Sequence, residues 1–156
     1  MNWLILILAL IAVEAPKTNE ASLKAEKQGY YGCLQVTQAV VDDVNVFYAA
    51  DVVQWIGRPL APEDCRDPFV GRWVCVHYLE YWGSHYTLET GKPPTYEALA
   101  RIWNGGPQGY DKKSTVKFWA KVEAEIKTAE AASVPSSPWT RFMTWVRPLR
   151  KDVSKN

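Results

Sequence analysis

The sequence predicts a mainly α-helical fold, with about five helices around a buried N-terminal helix and little β-sheet. Three observations lead to this prediction. Residues 3–13 form an almost unbroken apolar run, which is typical of a helix buried on all its faces. Apolar residues recur at helical spacing in several later segments. Clusters of glycine and proline separate those segments and mark the ends of the helices.

The composition of the 156-residue chain fits one folded domain with a short tail. Hydrophobic residues make up 47% and charged residues 22%, so the chain can form a core and is not expected to be disordered. The net charge of +1 argues against broad binding to phosphate backbones, and no nucleic-acid partner is expected. The eight tryptophans and eight tyrosines fit either an aromatic core or a cleft that stacks rings on sugars.

The cysteine pattern excludes one class of site. Cys33, Cys65 and Cys75 are an odd number, so at least one thiol is unpaired. No Cys-x-x-Cys pair is present and there are only two histidines, so neither a zinc site nor another cofactor is expected. The redox state of the thiols stays open at this point.

The N-terminal apolar run, residues 3–13, has two interpretations. It is too short to span a bilayer as a helix, so no stable membrane span is expected. As the apolar region of a signal peptide it would be cleaved after Ala15, although no lysine or arginine precedes it and Pro16 would follow the cleaved bond. As a helix it would lie at the centre of a domain. The choice matters because cleavage after Ala15 would remove Glu14.

Three elements are predicted next along the chain. Residues 17–28 are polar and predict a loop or irregular structure. Residues 30–36 are apolar around a glycine, which predicts a strand or a tight turn. Thr37 is a suitable N-cap for a helix over residues 38–55, which the following glycine and prolines end.

The pair Asp67 and Pro68 predicts the start of a further helix, with an acidic cap and a proline in the first turn. The apolar face of this helix contains Val70, Trp73, Val74, His77, Tyr78 and Tyr81. Gly91 and the prolines after it end the helix. Thr95 then caps a short helix over residues 96–103, which an Asn-Gly-Gly-Pro loop ends.

The last predicted helix begins near Ser114 or Thr115. One of its sides carries Phe118, Trp119, Val122 and Ile126. We therefore predict a domain over residues 1–127, an Ala/Ser/Pro-rich linker over 128–138, and a basic aromatic tail over 139–156. The tail either contacts an anionic polymer or membrane or is simply a packed or frayed terminus.

Glu14 is the first charged residue of the chain and follows directly on the apolar run. Breaking a glycosidic bond needs a carboxylic acid that stays protonated near neutral pH, and apolar burial provides this by raising the pKa. The alternative is an exposed glutamate at a helix end, which is the common case for a charged side chain. Glu14 alone does not decide between the two.

The chain resembles the soluble lytic transglycosylases of the lysozyme-like superfamily in several segments that occur in the same order. Residues 31–36, Tyr-Gly-Cys-Leu-Gln-Val, resemble the Gly-Leu-Met-Gln-Ile motif that follows their catalytic glutamate. Residues 100–107 resemble their Ala-Tyr-Asn-x-Gly motif, and residues 115–122 resemble the helix after it. Residues 35–45 and 100–122 are also similar to phage and bacterial lysozyme-like proteins that carry Ala-Arg-Ile-x-Asn-Gly-Gly-Pro.

This resemblance implies an α+β lysozyme-like fold with a glycan cleft and an activity on peptidoglycan. The enzyme would be a lytic transglycosylase or a lysozyme (muramidase), cleaving the β-1,4 bond between N-acetylmuramic acid and N-acetylglucosamine. Its partner would be the peptidoglycan glycan strand, and it would act as a monomer at the bacterial cell wall, in the periplasm, outside the cell or delivered by a phage. Because an apolar helix precedes the family's glutamate, the resemblance favours the buried helix over the signal peptide.

The resemblance also assigns candidate site residues. Glu14 would be the general acid and base. The candidate substrate-binding residues are Tyr31, Gln35, Trp103, Asn104, Gly105 and Phe118. Two positions depart from the family pattern, because Ala15 replaces a serine and Phe118 lacks the hydroxyl of a tyrosine. These departures favour an alternative, a non-catalytic glycan-binding or virion structural module with the same fold.

A hydrolase that uses two carboxylates would need a second acid. Asp42 and Asp43 are the candidates for this second carboxylate, and as neighbours on a helix they cannot both face one cleft. Lytic transglycosylases use a single glutamate and form a 1,6-anhydro product. We favour the single-glutamate mechanism, and the sequence leaves the product open.

Overall fold

The computed structural model describes residues 1–131, and most of these residues are helical. The α-helices are α1 (Trp3–Glu14), α2 (Asn19–Lys27), α3 (Gln38–Phe47), α4 (Ala49–Ile56), α5 (Pro68–Thr90), α6 (Tyr96–Gly105) and α7 (Val116–Ala131). Short 3-10 turns cover Pro62–Arg66, Gly109–Asp111 and Lys113–Thr115. Within the described part, β-structure is limited to one antiparallel bridge between Tyr31 and Val36. The mainly α prediction is confirmed, although residues 1–131 contain seven α-helices where about five were predicted.

One added helix is α2, in the segment predicted as a loop. The Thr18 side chain accepts a hydrogen bond from the Ala21 N–H and so caps the first turn. Glu20 lies near the positive end of the helix and Lys27 near its negative end, which also favours the helix. The loop prediction for this segment is wrong. The N-cap and the charges at the two helix ends, rather than an apolar face, stabilise α2.

A second difference divides the helix predicted over residues 38–55. It is interrupted at Tyr48, whose φ of −126° and ψ of 31° leave the helical region. The side chain of Asn45 bridges this region to Leu60, accepting from its N–H and donating to its carbonyl, both at 2.9 Å. The chain therefore turns between α3 and α4 without a glycine or proline to signal the break.

Helix α1 lies at the centre of the fold, as predicted. It packs against α5, α6 and α7, and Leu6 and Leu10 are fully buried. Its start is fixed twice, because the Asn2 side chain accepts from the Leu4 N–H and the Asn2 N–H donates to the Tyr96 hydroxyl at 2.9 Å. The start of α1 is thereby held against Tyr96 at the start of α6.

Helix α5 is the longest element and runs through the core. The Asp67 side chain accepts from the Phe69 N–H, Pro68 occupies the first turn, and Gly91 ends the helix in the left-handed region at φ 69°. Its buried residues are Val70, Gly71, Trp73, Val74, Cys75, Val76, Tyr78, Leu79 and Gly83. No helix among the described residues is long and apolar enough to cross a membrane.

The loop between α6 and α7 is fixed by Arg101. Its guanidinium donates to the Thr115 hydroxyl at 2.9 Å, to the Glu97 carboxylate at 2.8 Å and to the Lys112 carbonyl at 3.2 Å. A side chain at Gly109 would overlap the Arg101 carbonyl, so only glycine fits there. These contacts place the Asn-Gly-Gly-Pro segment rigidly at the end of α6.

Helix α7 continues to Ala131, so the first four residues of the segment predicted as a linker, 128–131, are helical. The rest of that linker and the basic aromatic tail, residues 139–156, lie outside the described residues. The boundaries proposed for the domain and its tail stay predictions.

Candidate active site

Glu14 is the last residue of α1 and is partly buried. Burial raises the pKa of its carboxyl from 4.5 to about 7, while the positive charge of Lys121 on α7 acts in the opposite direction. Near neutral pH, both the protonated and the ionised form of Glu14 are therefore populated. This carboxyl has both states available that a general acid and base needs.

The raised pKa of Glu14 predicts a pH-dependent stability. The protonated form is favoured in the folded chain, so the free energy of unfolding falls as pH rises from about 4.5 to about 7. Glu14→Gln removes this loss and should be more stable than wild type at pH 8 by up to about 3 kcal/mol. At pH 4 the two should differ little. Urea unfolding at both pH values tests this, and an equal difference at pH 4 and pH 8 would contradict it.

The turn at residues 31–36 is held by reciprocal backbone hydrogen bonds between Tyr31 and Val36, both 2.9 Å long. Gln35 adopts a φ of 53°, which is uncommon for a residue with a side chain. Its side-chain amide donates to the Gly32 carbonyl at 2.8 Å, and this bond stabilises the strained turn. The prediction of a tight turn here is confirmed, and Gln35 is half-buried within it.

Gly32 allows the turn to lie directly on the 3-10 turn Pro62–Arg66. A Cβ at Gly32 would overlap the Cys65 carbonyl, and its φ of 68° also favours glycine. The Tyr31 ring lies 5.6 Å from the Arg66 guanidinium. A hydrogen bond with Glu63 raises the pKa of the Tyr31 hydroxyl. The ring and the hydroxyl of Tyr31 are thus both engaged by charged side chains, Arg66 and Glu63.

A cavity of about 400 Å³ opens beyond the end of α1, between Ala15, α2 and the turn at Gly32. Glu26 and Arg66 both line it and form an ion pair of 2.9 Å. The hydrogen bond from Arg66 lowers the pKa of Glu26, so this carboxylate is ionised where Glu14 is only partly so. Glu26 is a site candidate that the sequence analysis missed.

The end of α6 carries three of the predicted substrate-binding residues. Trp103 is only 8% exposed and meets the Tyr78 ring edge to face at 5.8 Å, so it is a core residue in this conformation. Asn104 is exposed. The Gly105 carbonyl accepts from the Lys112 ammonium at 2.6 Å, and a Cβ at Gly105 would lie 2.6 Å from the Thr115 methyl. Asn104 is therefore presented to solvent at a rigid corner.

The remaining candidates lie on α3 and α7. Asp42 is exposed and accepts from the Gln38 amide at 2.7 Å. Asp43 is half-buried and accepts from the Trp82 indole N–H at 3.0 Å. Phe118 is half-buried against the core, one turn before Lys121. The two aspartates thus point to different surroundings.

Side chains on one face of α5 connect the surroundings of Glu14 on α1 with those of Asp43 on α3. The carboxyl of Glu14 is close enough to Cys75 to contribute to the high pKa of that thiol, which is caused mainly by burial. Burial also raises the pKa of Tyr78, with a smaller contribution from Asp43. Cys75, Tyr78 and Trp82 follow at intervals of three and four residues, so they share one face of α5. Of these three residues, the sequence analysis placed only Tyr78 on the apolar face of this helix, and it missed their position beside the candidate site.

The three cysteines are unpaired thiols in the structure. Burial raises the pKa of each of them, to about 12 for Cys65, which makes them poor nucleophiles. Within residues 1–131, no group of three or more His, Cys, Asp or Glu side chains is arranged to hold a metal ion.

Comparison with known proteins gives one partial similarity. The chain is 31% identical to a lysozyme of Magallana gigas over 70 residues, which is 40% of this chain and 51% of that protein. The chain thus spans about half the length of the curated relative that it matches. No protein-family model and no solved structure matches the chain. Together with the helical fold, this similarity supports a lysozyme-like family for the chain.

Proposed function

We propose that this protein cleaves the β-1,4 glycosidic bond between N-acetylmuramic acid and N-acetylglucosamine in peptidoglycan, with Glu14 as general acid and base. The observation that carries the proposal is the partly buried position of the Glu14 carboxyl at the end of the apolar helix α1, which raises its pKa to about 7. A carboxyl with this pKa is suited to proton transfer at neutral pH. The similarity to a lysozyme supports a glycosidase that acts on this substrate.

In the proposed mechanism, protonated Glu14 donates its proton to the oxygen of the leaving sugar as the bond from that oxygen to C1 breaks. Positive charge develops on the remaining sugar ring. The Glu14 carboxylate then accepts a proton from the attacking hydroxyl, which belongs either to water or to the C6 position of the same sugar. Lys121 stabilises the carboxylate form between the two transfers.

The glycan would extend from the end of α6 to the end of α1, two helices that pack against each other. Asn104 is exposed there and can donate and accept hydrogen bonds. The backbone of Gly105 allows a sugar to approach closely. Gly32, in the turn that carries Tyr31 and Gln35, lines the cavity that begins at Ala15. From this turn, Gln35 would orient the substrate or the acid.

The alternative function is a non-catalytic glycan-binding or virion structural module. Ala15 and Phe118 favour it, because each lacks a hydroxyl that the transglycosylase motifs carry. A turbidity assay on purified cell walls separates the two functions. Clearing by wild-type protein supports the enzyme, and binding of muropeptides without clearing supports the module. Mass analysis of released fragments then identifies 1,6-anhydro ends or reducing ends.

A single-glutamate mechanism predicts that the second carboxylates are dispensable. Asp43→Asn keeps an oxygen that can accept from the Trp82 indole, so the fold should persist. We expect its wall-clearing rate to stay within about tenfold of wild type, because general acid–base catalysis contributes more than this. Glu26→Gln is the parallel test in the cavity next to α1. Loss of clearing in either variant, together with wild-type products that end in reducing sugars, would instead indicate hydrolysis by two carboxylates.

A further inference from the structure

Two of the three cysteines lie where two turns of the chain meet. Cys33 follows Gly32 in the turn at residues 31–36, and Cys65 lies in the 3-10 turn Pro62–Arg66. Both are unpaired thiols in this structure. We propose that Cys33 and Cys65 form a disulfide when the protein meets an oxidising environment, and that this bond locks the two turns together.

The backbones of the two turns touch beside these cysteines. A Cβ at Gly32 would overlap the Cys65 carbonyl oxygen and would lie 3.0 Å from the carbonyl carbon. Cys33 is the next residue after Gly32, one step of about 3.8 Å between α-carbons. A disulfide joins α-carbons that are about 4.4–6.8 Å apart, a separation on the scale of this contact. The two cysteines therefore start from neighbouring backbone positions.

Helix α5 leaves space beside the Cys65 thiol. A Cβ at Gly71 would lie 3.9 Å from the Cys65 Cβ and 3.2 Å from the Cys65 carbonyl oxygen. Because Gly71 has no side chain, this position of α5 does not fill the space around the thiol. Burial mainly raises the pKa of Cys65, and smaller contributions come from Asp64 and from the nearby thiol of Cys33. Contact geometry and charge thus both place Cys33 next to Cys65.

Cys75 is the competing partner for Cys33. Burial mainly raises the pKa of Cys75 as well, and Cys33 adds to this effect. Cys75 is fully buried within α5, whereas Cys65 is in backbone contact with the residue that precedes Cys33. The contact at Gly32 therefore favours Cys65.

Of the two thiols in the proposed bond, Cys33 is the one that a dissolved oxidant can reach. It is half-buried and lines the cavity of about 400 Å³ beyond α1, whereas Cys65 is 1% exposed. Burial raises the pKa of Cys33, while the positive charge of Arg72 acts in the opposite direction. The reactive thiolate of Cys33 therefore becomes more abundant as pH rises above neutral.

The oxidant in the proposed reaction is a low-molecular-weight disulfide, such as oxidised glutathione. The Cys33 thiolate attacks one sulfur of the oxidant, the S–S bond of the oxidant breaks, and one glutathione leaves as a thiol. The Cys65 thiolate then attacks the Cys33 sulfur of this mixed disulfide and releases the second glutathione thiol. In total, the two cysteines lose two electrons and two protons, which the oxidant takes up as it becomes two thiols.

The disulfide would close the chain between residues 33 and 65 into a loop. Such a bond stabilises a fold mainly by restricting the unfolded chain. It would also hold the turn that carries Gln35 against the 3-10 turn Pro62–Arg66. Reducing compartments keep thiols free, and oxidising compartments favour disulfides. The lock would therefore form only after the protein leaves a reducing compartment.

The test treats the full chain with oxidised glutathione at pH 8 and, in parallel, with a reducing agent. Free thiols are alkylated after unfolding, and the chain is digested with trypsin, which does not cleave before proline. Cys33 and Cys65 then lie on one fragment, residues 28–66, and Cys75 lies on another, residues 73–101. After oxidation we expect fragment 28–66 to carry no alkyl group and to be two hydrogen masses lighter, while Cys75 is alkylated.

Oxidation should also raise the midpoint of thermal unfolding of the wild-type protein by about 10 °C. Cys33→Ser changes a half-buried thiol, and its midpoint should not respond to the oxidant. Cys75→Ala is the matched control, because it keeps both thiols of the proposed bond and should show the wild-type rise.

If Cys33→Ser fails to fold, the fragment masses of the wild-type protein decide. Two alkyl groups on fragment 28–66 after oxidation would overturn the proposal. A glutathione that stays attached to Cys33, or a bond between fragments 28–66 and 73–101, would overturn it as well.

Discussion

Replacing Glu14 by glutamine is expected to lower the rate of peptidoglycan cleavage by about 10²–10⁴-fold, the usual contribution of a positioned general acid. Glutamine keeps nearly the same shape but cannot transfer the proton. The measurement is the clearing of purified cell walls by equal amounts of folded wild-type and variant protein. Glu125→Gln on α7 is the control, because this exposed glutamate makes the same chemical change away from the candidate site. Clearing by Glu14→Gln at the wild-type rate would rule out Glu14 as the acid.

The pH dependence of wild-type cleavage follows from the same carboxyl. The acid form of Glu14 is lost as pH rises through about 7, so cleavage should decline above that value. The direction is the same as for stability, which also falls as pH rises because protonated Glu14 is the form favoured in the folded chain. A rate that stays constant from pH 6 to pH 9 would show that another group supplies the proton.

Gly32→Ala is expected to destabilise the fold by about 2–5 kcal/mol. About 1–2 kcal/mol arises from the left-handed backbone, and the overlap of the new methyl group with the Cys65 carbonyl adds about 1–3 kcal/mol. Gly57→Ala is a matched control, since Gly57 has a φ of 82° but no atom within 4 Å of the added Cβ. It should cost about 1–2 kcal/mol, from the backbone alone.

The comparison of the two alanine variants by urea unfolding isolates the steric part of this effect. Because the turn also carries Tyr31 and Gln35, Gly32→Ala should displace that side of the cavity as well. Equal stabilities of the two variants would mean that the turn at Gly32 moves without cost, and the rigid turn would then be refuted.

The sequence predicted those helices that show a strong local signal. Helix α1 is apolar on every face, and α5 begins at an Asp-Pro pair and ends at Gly91, so composition and capping were sufficient. Helix α2 has no buried residue, and therefore lacks the apolar stripe on which the prediction depended. The break at Tyr48 has no glycine or proline, and the nearby hydrogen bonds of Asn45 go to Leu60, which is distant in the sequence.

The residues of the candidate site were predictable only where the signal comes from their neighbours in the sequence. Glu14 was identified by its place at the end of an apolar run and by the motifs after it. Its burial could not be deduced, because the helices that pack against α1, namely α5, α6 and α7, are distant in the sequence. Glu26 was missed for a related reason, since its partner Arg66 lies 40 residues away. Trp103 was placed in the cleft by resemblance, whereas packing against Tyr78 buries it.

The register of α1 limits which mutations this protein can tolerate. Leu6, Leu10 and Glu14 are spaced four residues apart and lie on one side of the helix, so the buried leucines and the acid share a common alignment. Exchanging one aliphatic residue for another leaves that alignment intact. Insertion or deletion of a single residue would rotate Glu14 by about 100° relative to the leucines. Over evolutionary time, the length of this helix should therefore be more constrained than the identity of its aliphatic residues.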